Sequence, residues 1–269
     1  MTFTEEEITD IVDVANALAD AAGAAALPHF RKRGLVASNK LDDAGFDPVT
    51  IADRAAERAM RDILAARRPA DGILGEEEAA VKGTSGMTWV LDPIDGTRAF
   101  ISGLPLWGTL IALDTGQGPV FGLVDQPYTG ERFRGGFGAA TLTRQGAVET
   151  LGVRACASLG EATVMTTFPE VGSPDEGAAF RDVSARARLT RYGGDCYAYA
   201  MIALGQVDLV IEAGLNPYDI QGPQAVIEAA GGIVTDWNGG PAHRGGRVIA
   251  AGDARVHAEA VEILSRSIA

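Results

Sequence analysis

Ile8, Ile11, Val12, Ala15, Leu18 and Ala19 recur at the spacing of one helix face, and Thr4 followed by Glu5, Glu6 and Glu7 supplies a capping-box start. The pattern predicts a long helix ending near His29 or Phe30, with Arg31-Lys32-Arg33 complementing its C-terminal dipole. Residues 34–48 are polar and contain glycine, so they read as a loop that holds Lys40. From Val49 to Arg67 the apolar positions Ala52, Ala56, Ala59, Met60 and Ile63 return to helical spacing. Gly72-Ile73-Leu74-Gly75 is a short strand that ends in Glu76, Glu77 and Glu78, and Trp89-Val90-Leu91 reads as a buried strand. Gly108 to Leu113, Val120 to Val124 and Arg132 to Gly135 form an antiparallel meander, continued by Ala139 to Arg144, after which residues 145–160 make a connection. Ala162 to Phe168 opens a second set of elements, and Gly172 to Glu176 is rich in turn residues. Leu189 to Tyr192 is a strand, Cys196 to Leu204 a helix, Gln206 to Glu212 a strand and Ile220 to Ala230 roughly a helix. Gly231 to Trp237 and Arg247 to Ala251 are closing strands, and Ala254 to Ile268 is a terminal helix. This order lacks the repeated βα rhythm of a barrel, so layered sheets and helices of α+β class are expected.

The candidate chemistry gathers where the Trp89-Val90-Leu91 strand ends, in Asp92-Pro93-Ile94-Asp95-Gly96-Thr97. Pro93 fixes φ and Gly96 allows a tight turn, so the carboxylates of Asp92 and Asp95 can converge round one bend. Two such groups repel each other unless a cation lies between them, and oxygen ligands favour Mg²⁺. The N–H groups of Gly96 and Thr97 could face an anion at a helix start. An ordinary surface turn uses the same residue types, so the weight comes from the other acids. Glu76 follows its strand directly; Asp53 and Asp219 lie at helix starts, where an acid also suits the dipole; Asp195 could equally be the N-cap of its helix.

Composition narrows the partners. The chain has 269 residues, with 23 Lys plus Arg against 36 Asp plus Glu for a net charge of −13, and no basic block. A nucleic-acid partner is therefore not expected, and an anionic substrate would need a metal or local donors. Cys156 and Cys196 are too few for a disulfide framework or a zinc site and fit a reducing cytoplasm. The N-terminus lacks a leader pattern and no stretch has the apolar length of a membrane span, so a soluble, unprocessed protein is expected. His29, His243 and His257 are scattered and read as structural or surface residues, and Trp107 and Trp237 as core or interface aromatics.

Together, Gly75-Glu76-Glu77, Trp89 to Thr97, Tyr218-Asp219 and Ala229-Ala230-Gly231-Gly232 resemble the inositol monophosphatase family of Mg²⁺-dependent phosphatases over nearly the whole chain. The resemblance implies a layered α/β/α/β/α sandwich, one catalytic domain over 1–269, with a metal-binding part about 1–150 and a substrate-side part about 151–269. It further implies about two or three Mg²⁺ per site, held by Glu76, Asp92, Asp95, Asp219 and the backbone carbonyl of Ile94. Thr97 and Asp53, with Glu76, match the residues that activate the attacking water. Asp95, Gly96, Thr97, Arg191, Gly194, Asp195, Glu212 and Asp219 match substrate-side positions, and a homodimer is expected. Lys40 and Arg191 stand either as site residues or as solvated charges. Asp95 to Gly103, Trp107-Gly108-Thr109 and Arg191 to Tyr199 look like the histidinol-phosphate phosphatase branch. Asp195 and Glu212 would suit the ammonium and imidazole of that leaving group. Hydrolysis of L-histidinol phosphate by a metal-activated water is thus the expected activity. The alternatives are an inositol 1-phosphate or other small monophosphate phosphatase, and a non-catalytic metal- or phosphate-binding regulator.

Overall fold

A computed structural model describes residues 2–39 and 48–267. Thr4 caps α1 (Glu5–Ala26) in a full capping box with Glu7. The helix stops short of His29 because Pro28 has no N–H to continue the ladder. The Arg31-Lys32-Arg33 cluster therefore lies beyond the helix end, where Arg31 donates to Gly103 O (2.9 Å) and to the Tyr128 hydroxyl. Part of the expected loop is strand: β1 (Ala37–Asn39) pairs antiparallel with β2 (Pro48–Thr50). Lys40 lies outside the described residues. Thr50 then opens α2 (Ile51–Arg67) through a second capping box with Asp53.

Seven strands follow in one sheet, ordered β3-β4-β5-β6-β7-β8-β9. They are β3 (Gly72–Gly75), β4 (Thr88–Asp95), β5 (Gly108–Asp114), β6 (Pro119–Gln126), β7 (Glu131–Gly136), β8 (Ala139–Arg144) and β9 (Ala147–Thr150). Only β3 and β4 are parallel; the rest is the expected meander, extended by β9 into what reads as a connection from sequence. A five-residue helix, α3 (Thr97–Ile101), follows β4 directly.

The second half forms a five-stranded sheet, β11-β10-β12-β14-β13, from β10 (Thr163–Thr166), β11 (Leu189–Tyr192), β12 (Leu209–Leu215), β13 (Ile233–Thr235) and β14 (Gly246–Ala251). Gly172 to Glu176 is not only turn: Ser173 and Glu176 make a capping box, with Pro174 as the first helical residue, that starts α4 (Pro174–Ser184). Next come α5 (Asp195–Ala203), α6 (Pro217–Ala229) and α7 (Ala254–Ser267). The strand expected over Gln206 to Glu212 is displaced toward its C-terminus, because Gly205 and Gln206 turn back onto the end of α5.

Strand alternation decides the layers. On the seven-stranded sheet, Ile111, Leu113 and Leu123 pack with Ile11, Leu18, Met60 and Leu64 of α1 and α2. Leu110, Val124 and Phe133 face the other way, toward Ile202 of α5 and Ile220 and Val226 of α6. Val210 and Val248 of the second sheet close that central layer, whereas Leu209, Ile211 and Ile249 face Phe180 of α4 and Leu264 of α7. The result is an α/β/α/β/α sandwich. Trp107 and Trp237 are fully buried, as expected of core aromatics. His257 is also buried, its Nε2 2.8 Å from the Thr235 hydroxyl. No helix among the described residues is long and apolar enough to cross a membrane.

Candidate active site

The turn after β4 rests on an aromatic base, in which Phe100 and Trp107 meet edge to face at 4.8 Å and Phe30 lies against both, beneath Ile94. Above it, Asp92 Oδ1 accepts the Ile94 N–H (3.0 Å) and Thr109 donates to Pro93 O (2.8 Å), which fixes the bend. Gly96 takes φ 81° as the residue preceding α3. A Cβ there would lie 2.9 Å from Leu106 O and 3.0 Å from Asp195 Cβ, so only glycine admits Asp195 this close.

Three elements of the second half complete a cavity of about 310 Å³. The start of α6 brings Asp219, the middle of β12 brings Glu212, and the start of α5 brings Asp195. Asp92, Asp95 and Asp219 each offer a carboxylate oxygen within 4.8 Å of the others. Glu76 and Ile94 line the same cavity. The donor set is entirely oxygen, which fits a hard divalent cation such as Mg²⁺.

Electrostatics single out the same residues. Burial, then the charges of Glu76, Asp95 and Asp219, push Asp92 well above the ordinary carboxylate range. Burial and the charges of Asp195 and Asp219 do the same to Asp95, although its Oδ2 accepts the Cys196 N–H at 2.6 Å. Such mutual repulsion is what a bound cation relieves. Glu212 is pushed up to about 7 by burial, against hydrogen bonds from Thr167 N (2.6 Å) and the Thr166 hydroxyl (3.2 Å). Asp195 is raised to about 6 by burial, opposed by the charge of Arg98.

Asp53 sits behind the cavity wall, fully buried. Its Oδ2 accepts from Thr50 N (2.8 Å) and the Thr50 hydroxyl (2.6 Å), and its Oδ1 lies 3.2 Å from Thr97 Oγ1. The Thr97 hydroxyl is also 3.1 Å from Ile94 O, so one proton has two acceptors in reach. Burial outweighs these bonds and raises Asp53 above its usual value.

Of the sequence-derived candidates, Glu76, Asp92, Ile94, Asp95, Gly96, Thr97, Asp195, Glu212 and Asp219 line one cavity, with Asp53 in contact behind Thr97. Arg191 and Gly194 do not line it; Arg191 is exposed on β11, the edge strand of its sheet. Asp195 is not an N-cap. Gly194 takes that position without a side-chain cap, and Asp195 is the first helical residue, at φ 43°. Sequence reasoning missed Arg98, whose guanidinium lies 4.6 Å over the Phe168 ring at the cavity wall, and Tyr199, a buried wall residue whose hydroxyl has no partner among the described residues. Neither residue carried a pattern of its own.

The sequence profile of the inositol monophosphatase family matches residues 7–269. The chain belongs to that family. Among similar relatives of the family is the bifunctional phosphatase IMPL2, chloroplastic, of Arabidopsis thaliana, 40% identical over 97% of this chain and 77% of the relative. A histidinol-phosphatase of Streptomyces coelicolor is 36% identical over 96% of this chain and 97% of its own length. A solved structure of an inositol monophosphatase from Zymomonas mobilis superposes with a TM-score of 0.83 at 40% identity, covering 96% of this chain and 98% of the other. The family shows this chain to be a phosphatase of phosphomonoesters, and it draws on relatives named for both alcohols.

Proposed function

We propose that this chain is a Mg²⁺-dependent phosphomonoesterase that hydrolyses L-histidinol phosphate to L-histidinol and phosphate, its two parts acting as one catalytic domain. The observation that carries the choice of alcohol is the pair Asp195 and Glu212, which line the same cavity without belonging to the converging Asp92–Asp95–Asp219 group. Two carboxylates there suit an ammonium and an imidazolium, whereas inositol offers only hydroxyls. The Streptomyces coelicolor relative named as a histidinol-phosphatase supports the same reading.

Asp92, Asp95, Asp219, Glu76 and the Ile94 carbonyl would hold the metal. Bound Mg²⁺ supplies charge neutralisation of the phosphoryl oxygens and lowers the pKa of the attacking water. The chain's own residues orient and deprotonate. Thr97 Oγ1 accepts a proton from the water while passing its own to Asp53 Oδ1, 3.2 Å away. Burial makes Asp53 a stronger base than a surface aspartate for that task. The N–H groups of Gly96 and Thr97 face the phosphate, and Asp195 with Glu212 receives the cationic end of the alcohol. A homodimer is part of this proposal by family likeness alone.

The test is phosphate release by the purified protein with Mg²⁺, comparing L-histidinol phosphate with inositol 1-phosphate and including an EDTA control. A marked preference for histidinol phosphate is expected. Preference for inositol 1-phosphate would leave the metal reading intact and overturn the role given to the two acids.

A further inference from the structure

Three buried charged or acidic residues on α2 follow one another a helical turn apart: Asp53, Glu57 and Arg61. Asp53 reaches Thr97, but Glu57 and Arg61 touch neither the cavity nor the acidic cluster. A buried ion pair is weak evidence for stability, since desolvation offsets its attraction. Its contacts show what else it does. Glu57 Oε2 accepts the Glu77 N–H at 2.7 Å, and Oε1 accepts the Glu78 N–H at 3.1 Å and Arg61 Nε at 2.8 Å. Arg61 in turn donates to Glu78 O (2.9 Å) and Ala79 O (3.1 Å). The pair therefore satisfies four backbone groups of consecutive residues, a task no apolar pair of the same size could perform.

That clamped segment begins one residue after Glu76. On its other side, Glu76 N donates to Leu91 O at 3.2 Å, continuing the register of β3 on β4, the strand that carries Asp92. Gly75 shows how closely the clamp is seated: a Cβ on it would lie 2.1 Å from Glu57 Oε1 and 2.8 Å from Arg61 Nη2. The backbone of Glu76 is thus pinned on both sides, by the sheet and by the Glu57–Arg61 pair.

We propose that Glu57 and Arg61 are positioning residues that set the affinity of the acidic site for its divalent cation by fixing the backbone from which Glu76 projects. This rests on the metal reading given above. Neither residue touches substrate or metal; each acts through the segment 77–79. The stripe Asp53–Glu57–Arg61 makes α2 a common base for two separate parts of the site, Thr97 through Asp53 and Glu76 through Glu57.

The experiment is calorimetric titration of Mg²⁺ into the wild-type protein and into Glu57→Gln, with thermal unfolding measured in metal-free buffer. Gln keeps the volume and one acceptor oxygen but cannot serve both N–H groups and Arg61. A Mg²⁺ dissociation constant raised by about tenfold or more is expected, the usual size of an outer-shell effect. Arg61→Lys, which keeps the charge and loses the fork to two carbonyls, should move it in the same direction and serves if Glu57→Gln does not fold. Mg²⁺ affinity within about twofold of wild type in the folded variants, whatever happens to the melting temperature, would make the clamp purely structural and overturn the inference. A wild-type protein that binds no Mg²⁺ would overturn it together with the metal reading, which separates the two failures.

Discussion

Glu212→Gln should make this protein more stable in neutral and alkaline buffer while weakening its action on a cationic alcohol. Glu212 is almost wholly buried, and its carboxyl titrates near 7 rather than near the 4.5 of a solvated glutamate. The folded state thus holds the proton more tightly than the unfolded chain. Below about pH 4.5 both states are protonated and the group is neutral toward stability. As pH rises toward 7 the unfolded chain ionises first, and stability falls by about 3 kcal/mol once both states are charged. The Gln variant has no such charge. Its carbonyl oxygen can still accept from Thr167 N, and its amide can donate to Thr166 Oγ1, whose hydroxyl turns to accept.

The assay is thermal unfolding of both proteins in metal-free buffer from pH 5 to pH 8.5. The melting temperatures should lie close together at pH 5 and diverge by roughly 6 to 10 °C in favour of the variant at pH 8.5. In parallel, kcat/KM for L-histidinol phosphate should fall by about ten- to a hundredfold, the size of a lost charge-assisted hydrogen bond, and fall less for inositol 1-phosphate. A stability difference that is equal at both ends of the pH range would refute the burial argument. An equal loss on both substrates would refute the assignment of Glu212 to the cationic end.

Asp92→Asn removes one of three converging carboxylates. It should abolish the rise in melting temperature that Mg²⁺ confers, raise the metal-free melting temperature at pH 8 by relieving repulsion, and lower phosphate release by more than about a hundredfold. Asp208, buried far from the cavity, accepts Arg154 Nε and Thr163 N at 2.7 Å each. Asp208→Ala leaves that amide unsatisfied and should cost about 2 to 3 kcal/mol, read as a lower urea midpoint without a change in slope.

The elements that could be read from sequence were those whose pattern is local. The α1 and α2 faces, the meander from Gly108 to Arg144 and the acid that ends β4 each carry their period or turn chemistry within a dozen residues. What escaped depended on partners distant in sequence. Residues 37–39 are strand only because residues 48–50 lie beside them. Asp195 looked like an N-cap because its position before an apolar helix fits that role, and only the fold shows Gly194 there instead. The Asp53–Glu57–Arg61 stripe was visible as i, i+4 spacing, but a charged stripe on a helix usually faces water, and only the packing of Gly75 against Glu57 shows it buried. In α4 the signature was present in Ser173-Pro174-Asp175-Glu176, and its proline and glycine neighbours read as a turn.

Asp195 carries a further argument about what this cavity is built to receive. A non-glycine residue at φ 43° lies in the left-handed region, which costs about 1 kcal/mol or more. Its carboxyl is held up near 6 by burial, and the opposite wall keeps Gly96 without a side chain to let it approach. A residue needed only to begin α5 would require none of this, because Gly194 already begins it without help from Asp195. Three local costs at one position are explained if the carboxylate must face the cavity beside Glu212. The turn that carries Asp92 and Asp95 is meanwhile built from the first sheet, with Asp219 reaching across from α6. On the proposed reading the alcohol is met by the start of α5 and by Glu212 on β12, which leaves unchanged the bend that carries Asp92 and Asp95.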